Sequence, residues 1–251
     1  PGPVAAHDGV RFDHAALLAC AWGPPTAAFG PRFAPFDGPR RLARLPSPPY
    51  HFMTRVVALD TARIGSPAGA TVEVDYDVPR GAWFFDQDCP VIPFAVLLEI
   101  ALQPCGWLAM AHGTALRTAE DLHFRNLDGR AVLHADVGPD AGTIRTRVEH
   151  LGTAGSGGIT LVQFTVTCSV GDRRVLELRT GFGFFPAAAL AEQVGLAVLP
   201  EHRRWRDAPC DVAVDLRAPS DDRGPLRLPG GMLRMLDRIT GWWPDAGEAG
   251  L

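Results

Sequence analysis

The sequence predicts an α+β fold in which a long antiparallel sheet wraps around one buried central helix. Three observations lead there. Between Phe94 and Ala111 every side chain is apolar or small except Glu99 and Gln103, so a helix over this stretch is hydrophobic all round and must be buried. After it come four stretches of strand character, 130–137, 143–151, 159–170 and 174–185, each with one apolar face. One helix and one long sheet can cover both apolar surfaces only if the sheet curls around the helix. The third observation is a short internal repeat at an offset of 183 residues. It sets Arg44-Leu45-Pro46 against Arg227-Leu228-Pro229 and residues 52–56 against 235–239, so a second copy of the fold is expected to begin near Leu226.

Taken in order, residues 1–42 read as an approach segment rich in Pro and Gly, with one helical patch at 12–21 that Asp13 is placed to cap. The main domain is expected over 43–186. Pro48-Pro49 lead into the apolar stretch 50–57, and 71–78 is a half-buried strand in which Val72, Val74, Tyr76 and Val78 alternate with Glu73, Asp75 and Asp77. The four strands after the helix are joined by Gly138-Pro139-Asp140, the glycine-rich 152–158 and Gly171-Asp172, turn chemistry that predicts an antiparallel meander. Residues 187–224 turn polar and read as a linker with a helical patch at 187–194. Residues 225–251 read as the truncated start of the second domain, and the chain as a piece of something longer.

All 24 basic residues are arginine, and the net charge of −4 argues against a nucleic-acid face. The densest basic cluster, Arg203, Arg204 and Arg206, falls in the linker. Cys20, Cys89, Cys105, Cys168 and Cys210 are scattered and never spaced as CxxC, the pattern of reduced thiols in a cytoplasmic protein. The eight histidines show no ligand spacing beside a carboxylate; neither a metal nor a cofactor is expected. The helical stretch is barely long enough to span a bilayer, and its central Glu, Gln, Pro and Gly argue against a membrane span.

Glu99 and Gln103 are spaced i, i+4 and therefore share one helix face. Burying a carboxylate without a partner is costly, and a raised pKa is the usual escape. A carboxyl held protonated in this way is a general acid; alternatively, Glu99 meets a backbone or arginine partner and only holds the core together. Gln103 either orients that carboxyl or ties the helix to a strand. His51, His123 and His134 read as core or surface histidines, not as bases.

Several blocks carry a family resemblance: PYHFM at 49–53, AWFF at 82–85, the PVIP leading into LLEIALQPCGWLA at 97–109, FRNLDG at 124–129, and MLRMLDRITGWWPDAGEAG from Met232. They resemble the FabA-like 3-hydroxyacyl-ACP dehydratases, and more closely the leading unit of the dehydratase region in polyunsaturated fatty acid synthases and related polyketide synthases. The resemblance implies a hot-dog fold, the first half of a double hot dog. It places Glu99 at the family's helix acid and Gln103 at its glutamine. It also exposes departures: Phe85 stands where the family has its catalytic histidine, and Phe94 where it has the helix-start glycine whose N–H helps to bind the thioester oxygen. Phe85, Pro93 and Phe94 are thus the positions expected to border the substrate.

What the resemblance implies functionally is half of a 3-hydroxyacyl-ACP dehydratase, with Glu99 as the acid and the base histidine on a second hot-dog domain of the same parent chain, past Leu251. Its partners would be that second domain and an acyl carrier protein bearing a phosphopantetheine-linked 3-hydroxyacyl chain. Residues 1–251 alone are expected to be inactive and to self-associate through an uncovered sheet edge. The alternatives are a non-catalytic scaffold that shapes an acyl tunnel, and a hot-dog acyl thioesterase.

Overall fold

A computed structural model describes residues 2–66, 68–85 and 90–191, and beyond them 195, 197, 199–200, 203, 207–210, 214–217, 232 and 234–242. The chain divides into two units, one of residues 1–85 and 89–192, the other of 86–88 and 193–251.

In the first unit a small hairpin, β1 (Ala6–His7) and β2 (Val10–Arg11), precedes helix α1 (His14–Trp22). Asp13 opens that helix, its carboxylate accepting the Ala16 N–H at 3.2 Å, the N-cap bond that satisfies one of the four orphan donors there. Helix α2 (Pro25–Phe29) starts on a proline, which needs no hydrogen-bond partner at that position. Residues 2–42 are built into this unit as well as lying on it, for Phe12, Leu17, Cys20, Phe29, Phe33 and Phe36 are all buried. Phe12 meets Trp107 edge-on at 4.9 Å and Phe29 lies 5.8 Å from the same ring. Two nearby arginines bond backbone carbonyls: Arg44 donates to those of Ala19 and Gly23 at the end of α1, and Arg40 to those of Ala115, Thr118 and Glu120.

Strands β3 (Arg55–Leu59) and β4 (Thr71–Asp77) lead to helix α3 (Phe94–Ala111), whose bounds match the apolar run. Gly113, at φ 74°, takes the left-handed conformation that ends it. Strands β5 (Leu122–Leu133), β6 (Thr143–Ser156), β7 (Ile159–Val170) and β8 (Arg173–Pro186) follow, then the short α4 (Ala187–Ala191). The six strands form one antiparallel sheet in the order β3-β4-β6-β7-β8-β5. Helix α3 packs on β4, β6 and β7, and at Gly106 it runs so close to β5 that a methyl group there would touch the Phe124 ring at 3.4 Å. This is the hot-dog arrangement. The stretch from Phe94 to Arg117 is long and apolar enough to cross a membrane by composition, but most of it is buried within the unit as its core helix.

The expected meander is corrected in part. Strands β6, β7 and β8 form one, with Gly157 and Gly158 both at positive φ in the β6–β7 turn, as a tight hairpin requires. Strand β5 does not join β6. It pairs with β8 on the far edge, because β6 is already flanked by β4 and β7. It also begins at Leu122, well before the expected residue 130; a bulge between Asn126 and Asp128 breaks the alternation there and hides the strand in the sequence.

In the second unit Val214–Asp215 (β9) pairs antiparallel with Arg238–Ile239 (β10). At the repeat offset Arg238-Ile239 corresponds to Arg55-Val56, the opening of β3. The Arg227-Leu228-Pro229 half of the repeat, and Arg204 and Arg206 of the basic cluster, lie outside the described residues.

Candidate active site on the central helix

Helix α3 is not buried evenly. From Gln103 to Ala111 every residue is buried, whereas Phe94 and Ala95 are exposed and Leu98, Glu99 and Leu102 are half-buried. Glu99 thus sits on the one stripe of the helix that reaches the surface. Its neighbours on that stripe are apolar, and the resulting loss of hydration holds its carboxyl above the ordinary carboxylate range, opposed by a hydrogen bond from Gln103.

Gln103 spends its amide fully. Its Oε1 accepts the Phe52 N–H at 2.8 Å, and its Nε2 donates to the Tyr50 carbonyl at 2.8 Å and to Glu99 Oε1 at 3.3 Å. The backbone N–H needs an acceptor and the carbonyl a donor, so the orientation of the amide follows from its partners. The side chain therefore ties the helix to the segment before β3, and with its remaining proton orients Glu99. Tyr50, which the sequence did not single out, completes the cluster. Its ring stacks on Trp83 at 6.0 Å, Trp83 Nε1 donates to the Pro49 carbonyl at 3.1 Å, and burial followed by the nearby charge of Glu99 pushes the phenol pKa up. The PYHFM and AWFF blocks thus meet beside the acid. Their membership in those blocks was the available signal.

The three expected substrate-bordering positions are placed as follows. Phe85 is half-buried, 4.8 Å edge-on to Phe84. Pro93 is the N-cap of α3 and supplies no side-chain cap. Phe94 is 48% exposed. Residues 86–89, including Cys89, lie outside the described residues.

Histidines are placed elsewhere. His51 is buried with Nδ1 3.0 Å from the Pro46 carbonyl, His134 pairs with Glu177 at 2.8 Å near the surface, and His123 is exposed on β5. His112 and His150 form a buried pair with ring centroids 4.7 Å apart, which sequence reasoning missed because nothing local links residues 38 apart. Among the described residues, Gln103 is the hydrogen-bond partner of Glu99. Burial pushes the Cys20 and Cys168 thiols up to about 12 and that of Cys105 well above its usual value, so these three hold their protons and are poor nucleophiles. Among the described residues no three His, Cys, Asp or Glu side chains gather as a metal site would require.

No protein-family model matches the chain. Among curated proteins it is 31% identical over 190 residues to one of the subunits of a polyunsaturated fatty acid synthase from a Thraustochytrium species, covering 74% of this chain. Among solved structures, the dehydratase heterocomplex ApeI:P from Xenorhabdus doucetiae is 15% identical with a TM-score of 0.42, over 59% of this chain and 93% of that one. A hypothetical thioesterase from Streptococcus pneumoniae is 12% identical with a TM-score of 0.35, over 51% and 85%. The chain is therefore similar, across three quarters of its length, to one segment of a polyunsaturated fatty acid synthase, and spans 12% of that relative.

Proposed function

We propose that this chain supplies the acid half of a 3-hydroxyacyl-ACP dehydratase site. The observation that carries the reading is Glu99: a carboxyl on the one surface-reaching stripe of the central helix, raised by desolvation and aimed by an amide that the backbone holds in place. Eliminating water from a 3-hydroxyacyl thioester requires removing an α-proton, holding the enolate-like oxygen and protonating the departing hydroxyl. A protonated Glu99 suits the last step and Gln103 fixes its direction. The base is assigned to a histidine of a second hot-dog domain in the parent chain, since Gln103 is what Glu99 meets among the described residues. The substrate is taken to arrive on an acyl carrier protein, and the buried reduced thiols fit a cytoplasmic setting.

Among the described residues β5 is an edge strand, and it carries Leu127, Val132 and Leu133 at 45–49% exposure, so in the isolated fragment this edge should pair two copies. A scaffold reading draws on Gln103, whose backbone ties have structural value without any chemistry, and a thioesterase reading on the breadth of reactions that one fold can host. Glu99→Gln in the full-length synthase separates them. Turnover should fall about a hundred- to ten-thousand-fold with the fold intact. A scaffold would keep near-normal turnover, and free acid released from acyl-ACP would mark a thioesterase.

A further inference from the structure

On the outer face of the sheet several charges are neutralised within or between neighbouring rungs. On one rung Asp75, 2% exposed, lies between Arg55 at 2.9 Å and Arg145 at 2.8 Å. On the next, Arg147 meets Glu73 at 2.9 Å, and Glu177 is met by His134 at 2.8 Å and Arg174 at 2.7 Å. One step further, Arg130 of β5 lies directly opposite Arg179 of β8. Among the described residues neither makes an ion pair or a side-chain hydrogen bond. Beyond Arg179 the rung continues through Thr165 to Glu149, two strand spacings or roughly 10 Å away, and Arg179 does not pair with it. Two like charges directly opposite in register are destabilising unless something sits between them.

We propose that this rung is an oxyanion site that takes a phosphate group. The two guanidiniums border a dent of about 230 Å³, lined also by Asp128, Gly129, Gln163 and Gly181, against about 30 Å³ for a water. Gly181 leaves the floor without a side chain on this face, so an anion can reach down between the arginines. Guanidinium forks match phosphate oxygens two at a time. Asp128 gives the site its selectivity: a methyl group on Gly181 would lie 3.0 Å from Asp128 Oδ1, so this carboxylate overhangs the dent. It repels a fully ionised anion and accepts a hydrogen bond from a P–OH. Phosphate carries such a proton at neutral pH and sulfate does not. The site stands apart from Glu99 and does not rest on the dehydratase reading.

The test uses residues 1–251 titrated calorimetrically at constant ionic strength with inorganic phosphate, methyl phosphate and sulfate. Saturable phosphate binding is expected, at least tenfold weaker in Arg130→Gln and in Arg179→Gln, with sulfate at least tenfold weaker than phosphate on the unaltered chain. At about pH 5.5, where both ions keep a P–OH, methyl phosphate binding as well as the free ion would assign the site to a phosphoryl group carried on a larger molecule; weaker binding would assign it to free phosphate. In phosphate-free buffer Arg179→Gln should melt no lower than the parent, since it removes a like-charge contact. Binding that does not saturate, binding that survives both arginine replacements, or a lower melting temperature for Arg179→Gln in phosphate-free buffer would overturn the proposal.

Discussion

Helix α3 has one polar pair midway along it and another just past its end, and the two pairs differ in exposure. Midway along it, Glu99 lies half-buried where the helix reaches the surface, and the buried Gln103 amide is anchored to backbone. Just past its end, His112 and His150 are 6% and 1% exposed. His112 Nδ1 accepts the Gly65 N–H at 2.8 Å, so in the neutral ring the proton sits on Nε2; His150 Nε2 lies 2.9 Å from Thr153 Oγ1. Burial, the partner ring and then Arg117 and Arg32 push His112 down to about 4, and burial also lowers His150. Both pairs favour neutral groups, but only one reaches the surface. The comparison teaches that burial acts on the two pairs in opposite directions: it raises the carboxyl and lowers the shut-in imidazoles, and in both it favours the neutral form.

The largest expected effect comes from cutting the anchor. Gln103→Leu strands the Phe52 N–H and the Tyr50 carbonyl, two backbone groups costing about 1–3 kcal/mol each when buried unpaired, so stability should drop by about 3 kcal/mol in urea denaturation. A loss below about 1 kcal/mol would mean that the amide does not tie the helix to the strand. Next comes the acid response of the other pair. A folded pKa near 4, below the usual 6.5, means that the unfolded chain binds the proton first, so stability rises with pH across that window and is lost as pH falls through it. Between pH 7 and pH 4.5 the parent should lose about 2 kcal/mol more than His112→Leu. Equal losses in the two proteins would show that His112 titrates normally and is not shut in.

Much of this was legible in the sequence, for physical reasons that differ by element. Helix α3 was read to its ends because an all-apolar run bounded by Pro93 and Gly113 leaves little choice. Asp13 was read as a cap because capping is local. Strand β5 was misread because the Asn126–Asp128 bulge breaks its period, and its pairing with β8 depends on which edge of the sheet is free, which no local pattern encodes. Glu99 and Gln103 stood out as the polar exceptions in an apolar run. The role of Tyr50, the His112–His150 contact and the Arg130–Arg179 rung depend on long-range register and could not be read from spacing.

The account turns on the acid on the surface-reaching stripe of the helix, and a site-specific ¹³C NMR titration of the Glu99 carboxyl, assigned with Glu99→Gln, tests it most directly. Because desolvation raises the folded pKa of this group, the sign is opposite to that of His112: its contribution to stability is present at low pH and is lost as pH rises from the usual carboxylate value toward the raised one. The account predicts a midpoint above 4.5, the ordinary value for the group. A midpoint at or below that value would mean that Glu99 is a solvated or ion-paired carboxylate, and would contradict its assignment as the acid.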